Sequence, residues 1–351
     1  MTVSVREAND RDKAGWDAFV ADHPDATFFH NYDWRHVVEK GAGHKCIYLI
    51  AEKAGEVFGV LPLTIRNSLL FGKAVTSSMF AVYGGPLAYD QAHYDTLDAA
   101  ATDIAKRMGI DVIEYRNQRA RHDGEQYAAA GWQIDRGKSA TFVKPIVTDK
   151  EQRMLAIPRK QRAVVRKALS AGLTLEETND LDVFYALYAS SVHRLGTPVF
   201  PKKLFEVILD IFGTSSEMLI VRNNENTAIA SLLNFYGRNS VLPYYAGSAE
   251  GHRTFGAHDF MYWHTMERAL ERGKTLFDFG RSKIDSGPYK FKKNWGFEPT
   301  PLEYEYLLLG DAKLPDLSAG NSKYGLMSNL WKKLPLGLAN LIGPYISRHL
   351  G

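Results

Sequence analysis

Apolar residues in this chain recur at two spacings, every second position and every third or fourth, and the order of these spacings runs through twice. Near the N-terminus, alternation predicts a strand over Thr2–Glu7. A helix follows over Asp12–Asp22, with Trp16, Phe19 and Val20 on one face. The stretch FFHNYDWRHVVEKG crowds Phe28, Phe29, Tyr32 and Trp34 at the entry to a helix ending at Gly41. Meander strands are predicted over His44–Glu52, Val57–Leu63 and Leu69–Val75, with Gly55 at one turn. MFAVYGGPLA (Met79–Ala88) reads as a buried strand running into a Gly-Gly-Pro bend. A helix over Tyr94–Met108, a strand over Asp111–Tyr115, a helix over Glu125–Ala130 and strand segments through Thr141–Val147 complete this block.

From about Lys150 the order starts again. A helix is predicted over Met154–Ala171, a strand over Leu173–Glu177, and two helices over Asp182–His193 and Lys202–Phe212. Glu217–Val221, Ala228–Tyr236 and Ser240–Ala246 form a second meander. The helix His258–Arg272, the strand Thr275–Phe279 and an alternating last strand Leu302–Leu309 close the block. Two blocks with one element order point to a duplicated α/β fold, with domains at 1–150 and 151–312 and a tail at 313–351.

Composition sets outer bounds. With 351 residues, 45% hydrophobic and 24% charged, the chain is an ordinary folded protein long enough for two cores. Its single cysteine, Cys46, excludes an internal disulfide framework and fits a reducing compartment. Met1–Ala21 is mixed and charged, unlike a cleavable signal, and no run of about eighteen apolar residues exists. A cytoplasmic location is therefore expected. The eleven histidines show no paired ligand spacing, so no metal site is expected. The net charge of +3 identifies no partner.

Candidate chemistry concentrates in FDFGRSKIDSGPYKFKKNWGF (Phe277–Phe297). A strand ending in Gly-Arg-Ser-Lys sets backbone amides, Arg281, Ser282 and Lys283 at one sheet edge, a combination that holds phosphates or carboxylates. Lys290, Lys292 and Lys293 then alternate with Tyr289, Phe291 and Trp295, so cations and flat apolar faces are expected on one surface. A solvated edge strand is the plain alternative. Tyr244 and Tyr245 end a strand beside Gly247, and alternation sends them to opposite faces; Tyr245 is the candidate oxyanion donor. His193 and Arg194 close a helix, where an imidazole could act as base and a guanidinium could pair with an acidic acceptor. Cations at a helix C-terminus are also favourable in themselves. Asp278 and Asp285 are weaker candidates for a base, since carboxylates there can simply anchor loop amides. No GxSxG elbow occurs and Cys46 lies in a predicted strand, so no covalent nucleophile is expected.

Four stretches carry a family resemblance: FDFG…GPYKFKKNWGF, PYYAGS (Pro243–Ser248), FFHNYDWRHVVEK and ASSVHRLGTPVFPKKLF. Each block resembles a Gcn5-related N-acyltransferase (GNAT) unit. The pair resembles the FemAB family, whose members attach amino acids to amines of cell-wall precursors. The first stretch is similar to that family's DFGG…FKKGFG ending, and the second to its Tyr-x-Gly-Gly-Ser strand end. The third is similar to its Gln-x-x-x-Trp-x-x-x-Lys entry, with Trp34 on the tryptophan. The fourth sits where the family has Thr-x-x-Arg-(Asp)-Gly and puts Arg194 on the arginine. HRLGTPVFPKKLF, PYYAGS and FDFGRSK look closest to the subfamily found with bacterial exosortase and exopolysaccharide loci. Asn294 and Arg281 depart from the pattern by replacing glycines. The long helical hairpin of tRNA-gripping members is absent from the sequence.

The resemblance implies tandem GNAT-like domains with the donor site in the second. It places Phe291 and Lys292 at the donor end, with Lys292 the candidate for stabilising charge, and brings Trp34 and Tyr32 to the substrate. RTFGAHDF is similar to the phosphate-binding turn of single acyltransferase domains, which makes Arg253, Gly256 and Ala257 cofactor-site candidates together with Lys290; a plain helix cap is the alternative. No tightly bound cofactor is implied, only acyl-CoA or aminoacyl-tRNA as donor co-substrate. The implied acceptor is an amine on a small-molecule or lipid-linked envelope precursor. A non-catalytic adaptor of an envelope or polysaccharide assembly at the membrane is the competing function.

Two charged stretches remain. Arg159, Lys160, Arg162, Arg166 and Lys167 cluster on one predicted helix, suited to tRNA, an acidic polymer or lipid headgroups, or simply to water. Past Asp316 no acidic residue occurs, and Lys332, Lys333 and Arg348 stand among Leu, Trp, Ile and Tyr. That composition fits an interfacial helix pair over 322–351 on the inner face of the cytoplasmic membrane, or an apolar arm packed on the protein or a second subunit.

Overall fold

The strands come in two sets that never share a sheet ladder, and each set repeats one topology. The computed structural model describes residues 3–251, 256–314 and 322–351. They divide into unit 1 (Met1–Lys138, Pro301–Asp316 and Arg348–Gly351) and unit 2 (Ser139–Thr300 and Leu317–Ser347).

In unit 1 the strands are β1 (Ser4–Glu7), β2 (Lys45–Lys53), β3 (Glu56–Ser68), β4 (Gly72–Ser77), β5 (Leu87–Ala88), β6 (Val112–Tyr115) and β7 (Trp132–Asp135). Helix α1 is Lys13–Asp22, α2 is Trp34–His36, α3 is Gln91–Arg107 and α4 is Glu125–Ala129. Strands β1 to β4 pair antiparallel in chain order, and β6 joins β4 in parallel through the crossover helix α3. Asp90 starts α3 by accepting from the amide of His93. Leu97, Ala101, Ile104 and Ala105 then recur at helical spacing and bury against Leu49, Leu61, Leu63, Val75 and Ile113 of the sheet.

Two expectations need correction here. The helix ending at Gly41 is instead a 3-10 turn, the short α2 and a π-turn over Val37–Ala42. Met79–Ala88 is buried, yet only Leu87–Ala88 is strand. Ser78 and Phe80 both take positive φ (41° and 64°), which no strand accommodates. A buried coil and a buried strand read alike as an apolar run.

In unit 2 the strands are β8 (Ser139–Thr141), β9 (Val143–Pro145), β10 (Thr174–Glu177), β11 (Ser216–Arg222), β12 (Ala228–Tyr236), β13 (Ser240–Ser248), β14 (Leu276–Asp278) and β15 (Ser282–Lys283), with β16 (Thr300–Pro301) at its exit. The helices are α5 (Lys150–Leu155), α6 (Arg159–Leu169), α7 (Leu181–Arg194), α8 (Lys202–Phe212), α9 (Ala257–Glu271) and α10 (Gly287–Asn294). Strands β10 to β13 pair antiparallel, and β14 joins β13 in parallel through α9. Strand β9 pairs with β14, which brings Ser139–Lys150 into unit 2, ahead of the expected boundary at 150. The helix expected over Met154–Ala171 breaks into α5 and α6 at Pro158, which has no amide to donate. Buried Glu217 accepts from the Tyr236 hydroxyl (2.6 Å), from Arg272 (2.6 Å) and from Arg268, fixing α9 over the sheet.

Strand β17 (Tyr304–Leu308) leaves the second block and returns to unit 1, where it pairs with both β6 and β7. The tail forms α11 (Ser322–Lys333) and α12 (Leu336–Ser347) in unit 2, and its last four residues belong to unit 1. Domains ending at 312 and a separate tail at 313–351 are therefore not how the chain divides. No described helix is long and apolar enough to cross a membrane. Among the described residues, no group of three or more His, Cys, Asp or Glu could hold a metal.

Candidate active site

The chemistry-bearing end of unit 2 lies where its parallel strands part. Strands β13 and β14 are in register only at Ser240–Leu276 and Val241–Phe277. Strand β13 then runs on to Ser248 against β12, while β14 ends at Asp278 and turns away. The edge of β13 that faced β14 thus continues past its partner, with a β-bulge at Tyr244 where Leu233 faces Tyr245 and Asn234 faces Pro243. A bulge re-aims the residue it inserts. At Gly247 an added Cβ would lie 2.5 Å from the Tyr188 backbone, so α7 packs on this strand where only glycine fits.

Across the opening, the segment after β14 is held by short local bonds. The Asp278 carboxylate accepts from the amide of Gly280 (2.7 Å), whose φ is +62°. Strand β15 pairs back onto β8. Ser286 caps α10 by accepting from the amide of Tyr289, and Pro288 stands in the first turn. The run Tyr289–Trp295 is therefore a helix turn and not an alternating lip. Tyr289 and Phe291 pack into the unit 2 core beside buried Trp295, while Lys290 and Lys293 face solvent.

Lys292 points the other way. It is buried, and its Nζ donates to the carbonyls of Phe279 (2.6 Å), Gly280 (3.0 Å) and Arg281 (3.2 Å), above the rings of Phe142 and Phe279. Burial pushes its amine down to about 7; nearby Asp278 opposes this and Arg281 adds to it. As placed, Lys292 clamps the loop Phe279–Arg281. It is a positioning residue for that loop, where a charge exposed to the donor was expected. Within the loop Arg281 and Lys283 are exposed and Ser282 is buried, so the two cations, but not the hydroxyl, meet solvent.

Other expected site residues are placed elsewhere. Tyr245 lies in a buried cluster with Tyr188, Phe205 and Phe235, and burial pushes its phenol well up. Tyr244 is the half-buried member of the pair, in step with the alternation that runs from it to Ser248. The His193 ring contacts the Trp331 carbonyl (3.1 Å), tying α7 to α11. Arg194 donates to the Ser190 hydroxyl (2.9 Å) and to the Ser248 carbonyl, bracing the end of β13. In unit 1, Trp34 and Tyr32 are fully buried; Trp34 donates to the Met79 carbonyl (2.9 Å), and Tyr32 packs edge-on against the stacked rings of Trp16 and Tyr48. Both are core, with no face for a substrate.

Gly256 caps α9 with a φ of +64°, and an added Cβ would meet Ala168 of α6 at 3.0 Å. Ala257 is buried, and Arg253 lies outside the described residues. Asp259, in the first turn of α9, accepts from Trp295 Nε1 (2.9 Å) and from Gln161, so α6, α9 and α10 meet at one carboxylate. Burial raises its pKa and those two hydrogen bonds oppose the rise. Arg159, Lys160, Arg166 and Lys167 of α6 are exposed, without a salt bridge among the described residues.

A second polar site, not anticipated above, lies in unit 1. A cavity of about 420 Å³ is lined by Thr27, His30, Gly84, Gly85, Arg119 and Arg121, among others. It opens beyond β4 and β6, which are likewise in register for only two residues. The loop after β6 is fixed by buried Glu305 of β17, which accepts from the amides of Arg121 (2.8 Å) and His122 (2.6 Å) and from Asn117. His122 stacks on Trp132 and bridges Glu305 (3.2 Å) to Asp98 (2.9 Å). Burial works against its charged form, but the bonds to Asp98 and Glu305 outweigh it and push its pKa up to about 9. An added Cβ at Gly85 would overlap the Asn117 side chain. The one readable signal was an acid on the inward side of a predicted strand, Glu305.

Comparison with known proteins agrees with this geometry. Residues 159–293 match the family model described as "Acetyltransferase (GNAT) domain". Comparison with curated proteins gives no match. Among solved structures, FemX superposes with a TM-score of 0.67 at 19% identity, covering 87% of this chain and 97% of that one. A tandem GNAT protein from the clavulanic acid biosynthesis pathway gives 0.58 at 13% identity, covering 89% and 99%. L-PGS from Bacillus licheniformis gives 0.57 at 12%, covering 94% and 99%. The family match identifies a GNAT domain over residues 159–293, and the chain as a whole shares its fold with FemX and with a tandem GNAT protein.

Proposed function

We propose that this chain transfers an acyl group from an activated donor to an amine of a cell-envelope precursor, with both substrates bound and no covalent enzyme intermediate. The observation that carries the reading is the parting of β13 and β14 inside the matched GNAT domain, beside the loop clamped by Lys292. An extended thioester arm can add to the open edge of β13 as a strand would, and backbone amides there can receive the developing oxyanion. The amine nitrogen attacks the acyl carbon, a C–N bond forms, the C–S bond breaks, and the thiol leaves with the amine's proton. Exposed Arg281 and Lys283 supply charge for donor phosphates. The resemblance to the FemAB family, together with the fold shared with FemX, supports an envelope acceptor. We assign the unit 1 cavity to an acidic group of that acceptor, facing exposed Arg119.

The test is thermal shift and transfer with acetyl-CoA and with aminoacyl-tRNA, scored by mass spectrometry on amine-bearing envelope precursors. A shift with the thioester and a new amide on the acceptor are expected. Transfer from charged tRNA alone would reassign the donor. Binding of neither donor, with no new amide, would overturn the reading in favour of an adaptor. Lys292→Met should raise the KM for donor more than it lowers kcat, because it loosens a binding loop; Lys292→Arg should recover part of that loss.

A further inference from the structure

The last two helices present their side chains in the reverse of the order water favours. Helix α12 buries Ala339, Gly343 and Ser347, spaced four apart. An added Cβ at Gly343 would come within 3.3 Å of the Val199 amide, and the Ser347 hydroxyl donates to the Val199 carbonyl (2.7 Å). The opposite face carries Leu338, Leu341 and Tyr345, which are 45%, 67% and 71% exposed. Helix α11 repeats the arrangement. Ser328 packs under Gly196 and the Trp331 carbonyl is held by His193, while Leu326, Met327 and Leu330 are 62%, 53% and 56% exposed. Small residues and Trp331 thus face the protein, while six large apolar residues face outward, at i, i+1, i+4 on one helix and i, i+3, i+7 on the next.

Charge decides what covers this face. Exposed Lys332 and Lys333 end α11, and no acidic residue follows Asp316. A second copy seated symmetrically would set this carboxylate-free arm against itself. An anionic bilayer offers both an apolar layer and phosphates at its rim, and Tyr345 suits the boundary between them. We infer that the outer face of α11 and α12 docks on an anionic membrane surface, with the leucines and Tyr345 at the headgroup–acyl boundary and the two lysines among the phosphates.

The test is flotation of the full chain with phosphatidylcholine vesicles, with and without phosphatidylglycerol. The chain should float with the anionic vesicles and far less with the neutral ones. Lys332→Glu with Lys333→Glu should weaken anionic binding by roughly thirtyfold or more, at about 1 kcal/mol for each lysine lost. Leu330→Glu with Leu341→Glu should abolish flotation on both vesicles, with an unchanged circular dichroism melt because both positions are exposed. Wild-type protein that stays at the bottom with anionic vesicles overturns the inference, and so do variants that float like wild type. Light scattering that finds a dimer, broken by the leucine variants and indifferent to vesicles, would assign the face to a second copy.

Discussion

Single residues set the working parts of both units through burial. At Gly247 the backbone of β13 touches that of α7, so Gly247→Ala should cost about 1–3 kcal/mol of stability in urea unfolding. Retention of full stability would show that the two elements separate freely. His122 and Lys292 give the molecule opposing pH responses. His122 is raised when folded, so its contribution is complete below the unfolded value of about 6.5 and is lost as pH rises through about 9. Lys292 is lowered to about 7, so the unfolded chain binds the extra proton between there and about 10.4, and stability rises with pH over that window. His122→Gln should remove the falling limb of a urea-midpoint profile, and Lys292→Met the rising one. A profile untouched by either substitution would refute these environments. Neither role was legible in the sequence, because a buried partner far along the chain, Glu305 or the Phe279–Arg281 carbonyls, makes each residue what it is.

At the scale of elements, sequence reading worked where periodicity ran long. Helix α3, helix α9 and strand β12 sit where the pattern put them, since the helices bury an apolar face at helical spacing and β12 is a long, almost wholly buried apolar run. It failed on short aromatic runs. Tyr289–Trp295 alternates apolar and basic residues for too few positions to separate a strand from a helix, although Ser286 and Pro288 were helix-start signals in plain sight. That cap gives an expectation of its own: Ser286→Ala should cost roughly 1 kcal/mol. It should also weaken donor binding more than it weakens the fold, since α10 carries the Lys292 clamp. Equal loss in binding and stability would deny α10 a positioning role. The bulge at Tyr244 was likewise invisible, and alternation alone did not say which of the two adjacent tyrosines would be buried.

The duplication itself was readable as a repeated order of elements, but the placement of the last strand was not. Nothing in Leu302–Leu309 as a string says which sheet it completes. Strand β17 fills the place between β6 and β7, one strand in from the edge of the unit 1 sheet, and supplies Glu305. A chain ending at Pro299 should therefore lose amide protection in β6 and β7; protection preserved in that truncation would contradict the topology. During synthesis the same arrangement imposes a schedule. The N-terminal unit emerges from the ribosome first, yet it must wait with a gap in its sheet until residue 308 is out. The sheet of the second unit is complete in the chain by Pro301 and can close first, and a premature stop just after it would leave the early half without its closing strand.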